Sequence, residues 1–346
     1  MNVATGLTAR AQRSEVGSVE HRGGPTWQTR LGATVMRAVA RPALDLVATV
    51  IGPRTFWLGG LIDPLAGKVI RPPGGTTTCV VRFERFRAEW VTAAAAVQPG
   101  RSERAILYLH GGGFFTCGLN THRRLVATLS AATGVPVLNV DYRQLPGHAP
   151  GESIDDAVEA YEYLLGRGIR AENIVVAGDS AGGFLAFSVG VAALRRGLPV
   201  PAGIVGLSPW LDLDSRRRAA HVNNADDALL SAHSLDALVR KGFESLGPVD
   251  PAWSPVSGPL AGMPPALIQV GSTEVLRSDA ELMTERLGIA GVPVRLQIWR
   301  RQVHVFQAAH DVLPEAREAI TDIAEFVTEA YAQARNESRN EGKEAS

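Results

Sequence analysis

The sequence predicts an α/β chain with a mostly parallel central sheet, helices on both faces and a helical cap. Three observations point there. From residue 105 onward, short runs rich in β-branched residues alternate with longer stretches of helical periodicity, the pattern that crossover helices between parallel strands produce. The interval 212–265 breaks that rhythm with Asp, Arg, Asn, Ser and Pro around one helical stretch near 234–244. Near the start, apolar residues recur at helical spacing over 31–51, while Arg37, Arg41 and Asp45 fall four apart on the other face.

Taken in order, residues 1–28 are polar and irregular and are expected to lack fixed structure, as is the charged tail 336–346. One domain is expected over 29–335, its cap built from about 29–65 and 212–259. Pro42 should kink or divide the first helix. A basic amphipathic helix of this kind can lie on a membrane, but packing over its own chain is the commoner arrangement. Strands are expected at 77–81, 105–109, 135–140, 173–177, 203–207, 266–270 and 294–299. Helices are expected at 122–132, 153–165, 181–195, 279–290 and 315–331.

With 346 residues, 45% of them hydrophobic, the chain can bury a substantial core. Its 35 basic and 35 acidic residues cancel, so no overall field draws it to nucleic acid. Cys79 and Cys117 are the two cysteines, too few for a disulfide framework and outside metal-ligand spacing. A reducing, cytoplasmic compartment is expected, since the first thirty residues hold no secretory apolar run and no stretch reaches spanning length.

The strongest chemical signal is Gly178-Asp179-Ser180-Ala181-Gly182, a GxSxG between an expected strand and an expected helix. That context fits a nucleophile elbow, in which a strained turn presents the serine at the carboxyl end of the sheet. Asp179, inside the elbow, reads as a loop-fixing acceptor. His110-Gly111-Gly112-Gly113 closes the strand at 105–109. The backbone N–H groups of Gly111, Gly112 and Gly113, with that of Ala181, are candidates for an oxyanion hole.

A serine nucleophile needs a base and an acid, in the chain order Ser, acid, His. Of the eight histidines, His304 follows the last strand on a short loop before the terminal helix, whereas His310, six residues later, starts or flanks that helix. Glu274, four residues beyond the strand at 266–270, is the expected acid. Asp279 reads instead as the N-cap of the next helix. Phe114, Phe115 and Trp210 stand beside these loops as candidates to line a substrate pocket, or as ordinary core. Cys117 has no base beside it in sequence and reads as packing.

HGGG, GDSAGG, an acid loop and a C-terminal VHVF together resemble the hormone-sensitive-lipase family of bacterial esterases and lipases, on an α/β-hydrolase fold. The likeness covers about 105–327 and extends to Asp141-Tyr142-Arg143 and Ser208-Pro209-Trp210. The segments 116–122 and 302–307 are similar to an actinobacterial branch of that family. The resemblance implies a serine carboxylesterase acting on a small ester through Ser180, His304 and Glu274, with no metal or organic cofactor. It also implies that homo-oligomers are common on this fold. The same triad serves amidases and acyltransferases, and a binding protein on an esterase scaffold is a further alternative. Phe184 and the Arg300-Arg301 pair depart from the family pattern, the first where a small or amide residue is usual and the second where a Pro-Gly type turn is usual.

Overall fold

The computed structural model describes residues 17–344 apart from 101. Its nine strands are β1 (Ser18–Arg22), β2 (Thr77–Arg82), β3 (Arg87–Thr92), β4 (Ala105–Leu109), β5 (Val137–Asp141), β6 (Ile174–Asp179), β7 (Gly203–Leu207), β8 (Ala266–Gly271) and β9 (Val294–Trp299). They form one sheet in the order β1-β9-β8-β7-β6-β4-β5-β3-β2. Neighbours pair in parallel from β1 across to β5, and β3 and β2 add an antiparallel edge.

Eleven α-helices are described: α1 (Trp27–Val35), α2 (Arg41–Val50), α3 (Ile62–Val69), α4 (Leu119–Thr133), α5 (Pro150–Gly166), α6 (Ala181–Arg196), α7 (Arg216–Ala220), α8 (Asn223–Asp226), α9 (Ala232–Leu238), α10 (Arg277–Ile289) and α11 (Pro314–Glu344). Side chains alternate across each strand and so feed two cores. Leu107 and Leu109 join the cluster with α5, α6 and α10, whereas Ile106 and Tyr108 join the one with α4 and α11. The strand order reverses at β4, since β5 lies on one side of it and β6 on the other. In open α/β sheets, ligands bind beyond the carboxyl ends of the strands at that point. The loops leaving β4 and β6 there are the HGGG and GDSAG segments. None of the helices among the described residues is long and apolar enough to cross a membrane.

Pro42 does divide the first helix. It sits in the first turn of α2, and a wider turn at Met36–Ala40 joins α1 to α2, with Arg41 N donating to Met36 O. Proline has no N–H to give the carbonyl four residues earlier, so the ladder slips by one there. Helix α2 packs against α9, which brings the N-terminal helices against the insertion.

Two expectations of missing structure need correction. Of the leader 1–28, residues 1–16 lie outside the described residues, but Ser18–Arg22 forms an edge strand parallel to β9. Arg22 pairs with Asp322, and Thr26 N donates to Glu315. The tail is also structured as far as it is described, because α11 runs on to Glu344. A helix nucleated on a packed first half extends at little cost, and the Gln333–Glu337 bond at 3.0 Å lies on that extension.

Candidate active site

Ser180 stands between β6 and α6 with φ 51° and ψ −117°, a strained conformation for a residue with a side chain. Its N–H donates to Leu207 O at 2.9 Å, and its carbonyl accepts from Trp210 N at 3.0 Å, so the next strand's loop fixes the turn. The turn is possible because Gly182 lacks a side chain: a Cβ there would strike the Leu109 carbonyl oxygen of β4.

Asp179 fixes the adjoining loop. It accepts from Tyr108 Oη at 2.7 Å, Gly111 N at 3.0 Å and His122 Nε2 at 3.2 Å. Burial works against its charge, yet His122 beside it holds the carboxyl below its ordinary value. Gly111 is thereby removed from the expected oxyanion donors, because its N–H is already committed to Asp179. Gly112 and Gly113 line the cavity in front of Ser180. Among the described residues, no backbone hydrogen bond engages the N–H of Gly112, Gly113 or Ala181.

Glu274 is buried in the loop after β8. Its Oε1 accepts from Gly271 N at 2.6 Å and Ser208 Oγ at 2.8 Å, leaving Oε2 to accept from His304 Nδ1 at 2.9 Å. That partner places the ring proton on Nδ1, so the Nε2 lone pair is free. Burial opposes the imidazolium, but the hydrogen bond and charge of Glu274, with Asp227 adding, hold the His304 pKa above its usual value. The Arg300-Arg301 turn is formed, with Arg301 at φ 53° and its N–H donating to Ser272 Oγ at 2.9 Å. Ser180 and His304 line one cavity of about 590 Å³, with no hydrogen bond between them among the described residues.

Phe115 and Trp210 also line this cavity. Phe114 does not. It is buried edge-on to Phe184 and Phe243, and its aromatic neighbours consume the surface a substrate would need. Phe184, the departure after the elbow, is thus the partner of that buried cluster. Cys117 borders the cavity, but burial pushes its thiol up to about 11, which suits packing rather than nucleophilic attack. A depression of about 700 Å³ lies elsewhere, near Ile169, Pro199 and Pro265, towards the amino ends of the strands and away from these groups.

The fold profile described as alpha/beta hydrolase matches residues 106–308. The chain belongs to the α/β-hydrolase family. It is 39% identical over 284 residues to the esterase LipU of Mycobacterium tuberculosis, covering 80% of this chain and 95% of LipU. It is 37% identical over 316 residues to the carboxylesterase/phospholipase LipF of the same organism, covering 89% and 83%. The crystal structure of an esterase from the bacterial hormone-sensitive lipase family matches with a TM-score of 0.74 at 29% identity, covering 89% of this chain and 100% of the other. The hydrolase therefore stands among the carboxylic ester hydrolases of the hormone-sensitive-lipase type.

Several residues that hold the hydrolase's site together were missed in the sequence. Ser208 donates to Glu274 and accepts from Val305 N at 3.1 Å, tying the acid loop to the histidine loop. From the insertion, Asn223 Nδ2 donates to the carbonyls of Ser272 and Glu274 at 2.9 and 2.8 Å, and Asp227 Oδ2 accepts from Val275 N at 2.7 Å. Ser208 had a faint signal in the Ser-Pro-Trp segment. Asn223 and Asp227 had none, since their partners lie some fifty residues away.

Asp279 corrects a further expectation. Helix α10 begins at Arg277, and Asp279 caps nothing. Its carboxylate is buried against Arg218 Nη1 at 2.8 Å, and it accepts from Leu211 N and Asp212 N at 3.0 and 3.1 Å. Both side chains of the pair are almost fully enclosed, at 0% and 1% exposure. Asp279→Asn leaves a buried guanidinium without its counter-charge, so a loss of about 3–5 kcal/mol of stability is expected. Urea unfolding monitored by tryptophan fluorescence checks this; a shift within about 0.5 kcal/mol, the range of an ordinary surface substitution, would contradict it.

Proposed function

We propose that the chain is a serine carboxylesterase that hydrolyses short- to medium-chain esters through Ser180, His304 and Glu274 and an acyl-enzyme. The observation that carries this reading is the His304–Glu274 pair at 2.9 Å, lining the same cavity as a serine on a strained elbow. A scaffold used only for binding has no need of that pair. Two unpaired cysteines fit the cytoplasmic compartment included in the proposal.

In the proposed cycle, Ser180 Oγ attacks the ester carbonyl as His304 Nε2 takes its proton, and Glu274 stabilises the resulting imidazolium. The carbonyl oxygen gains negative charge facing the N–H groups of Gly112, Gly113 and Ala181. Each such donor supplies about 3 kcal/mol of transition-state stabilisation. The C–O bond breaks and the alcohol leaves with the proton from His304. Water then gives a proton to the same nitrogen and attacks the acyl-enzyme, releasing the acid and restoring Ser180.

The proposed cap is formed by 29–65 and 212–259, and it bounds the cavity through Leu44, Ala48, Leu235 and Leu238. A cavity of about 590 Å³ suits a limited acyl chain. Turnover of p-nitrophenyl esters is therefore expected to peak below about twelve carbons, a cut-off for a bounded pocket. A rate profile that rises beyond that length would overturn this substrate class.

A further inference from the structure

Fourteen of the twenty-one large hydrophobic side chains that are exposed among the described residues lie between Trp27 and Ile70. Scattered exposed apolar residues need no explanation, but a concentration of this kind marks an interaction surface. Helix α2 shows why it is unusual. Leu44 and Ala48 face the cavity, while Leu46 and Val50 on the same helix are 64% and 69% exposed. A helix apolar on both sides is ordinarily covered on both sides. Trp27 and Trp57, 69% and 55% exposed, add two rings of the type that settles at a lipid–water boundary.

Charge selects the occupant. Between 27 and 71 the acidic residues are Asp45 and Asp63. Asp45 accepts from Ser231, and Asp63 is buried, accepting from Asn120 and Thr121. Arg30, Arg54, Lys68 and Arg71 are exposed, so this surface is positive on a chain whose net charge is zero. A second copy of the chain is a poor fit, because a two-fold interface would set the same positive residues against themselves. An anionic surface that also accepts apolar side chains answers both features.

We propose that the N-terminal helical segment docks on an anionic lipid bilayer, with the exposed face of α1 to α3 and the two tryptophans set into the headgroup boundary. The cavity lies directly behind α2, so a docked molecule would receive apolar esters dissolved in the lipid. Docking itself is independent of the triad, whereas delivery of substrate rests on the catalytic reading above.

The test is cosedimentation of the full chain with vesicles of phosphatidylcholine alone or of equal parts phosphatidylcholine and phosphatidylglycerol, alongside turnover of dissolved p-nitrophenyl acetate. Binding to the mixed vesicles is expected, falling about tenfold or more on the neutral ones and in high salt. Trp27→Ser with Trp57→Ser, and separately Arg54→Glu with Lys68→Glu, should each weaken it about tenfold or more, with turnover of the dissolved ester unchanged. These four residues are outside the cavity lining, so lost turnover in the wild type would count against the catalytic reading and leave the docking result standing. Equal binding to both vesicle types, or unweakened binding by both variants, would overturn the proposal. So would a solution dimer that the tryptophan variant separates into monomers while vesicle binding stays the same.

Discussion

Ser180→Ala is expected to lower kcat on a short ester by about six orders of magnitude, the loss found when the nucleophile of a serine triad is removed. The methyl group fits the space already shaped for the hydroxymethyl group, and the Ser180 main chain keeps its bonds to Leu207 and Trp210. Stability should therefore change little. A small rate over water should persist, because the free N–H groups of Gly112, Gly113 and Ala181 remain to meet the oxyanion. Wild-type turnover by the alanine variant would remove Ser180 from the chemistry.

Glu274→Gln is expected to lower kcat by about four orders of magnitude while the protein stays folded. An amide cannot stabilise the imidazolium and can hold the ring in the tautomer that blocks Nε2. The pH profile gives a second sign. Glu274 raises the His304 pKa against the opposing effect of burial, and the base acts only when neutral. Removing the carboxylate charge therefore lowers that pKa, so the acid limb of kcat/KM should move to lower pH even as the plateau falls. An unmoved limb together with near-normal kcat would mean that Glu274 is structural. Asp279→Asn provides the contrast, since its loss falls on stability through Arg218 and its kcat in the folded fraction should remain near normal.

The residues that were legible in the sequence are those whose chemistry is local. The strands 203–207 and 294–299 appear with the bounds expected, because the first is an apolar run and the second alternates apolar with polar residues, each between turn residues. The elbow was readable because its glycines, serine and following helix lie within five residues. Strand β3 was missed, since Arg87 and Glu89 mask its pattern. Glu89 is buried only because Arg123 of α4 meets it at 2.8 Å. Strand β1 was missed for a similar reason: its partner is β9, more than two hundred and seventy residues away, and Glu20 gains a bond from Gln297 at 3.1 Å only in the folded sheet. Asp279 shows the limit most clearly. Its position before a periodic run looks like a cap, but the cation that decides its role stands sixty-one residues earlier in an irregular insertion.

In the proposed cycle one serine, Ser180, carries the acyl group. Treating the protein with a fluorophosphonate and locating the adduct by peptide mass spectrometry tests this most directly. One adduct per chain is expected on the peptide containing Ser180, with ester turnover lost in proportion to labelling. An adduct on another serine, or turnover that survives complete labelling of Ser180, would contradict it.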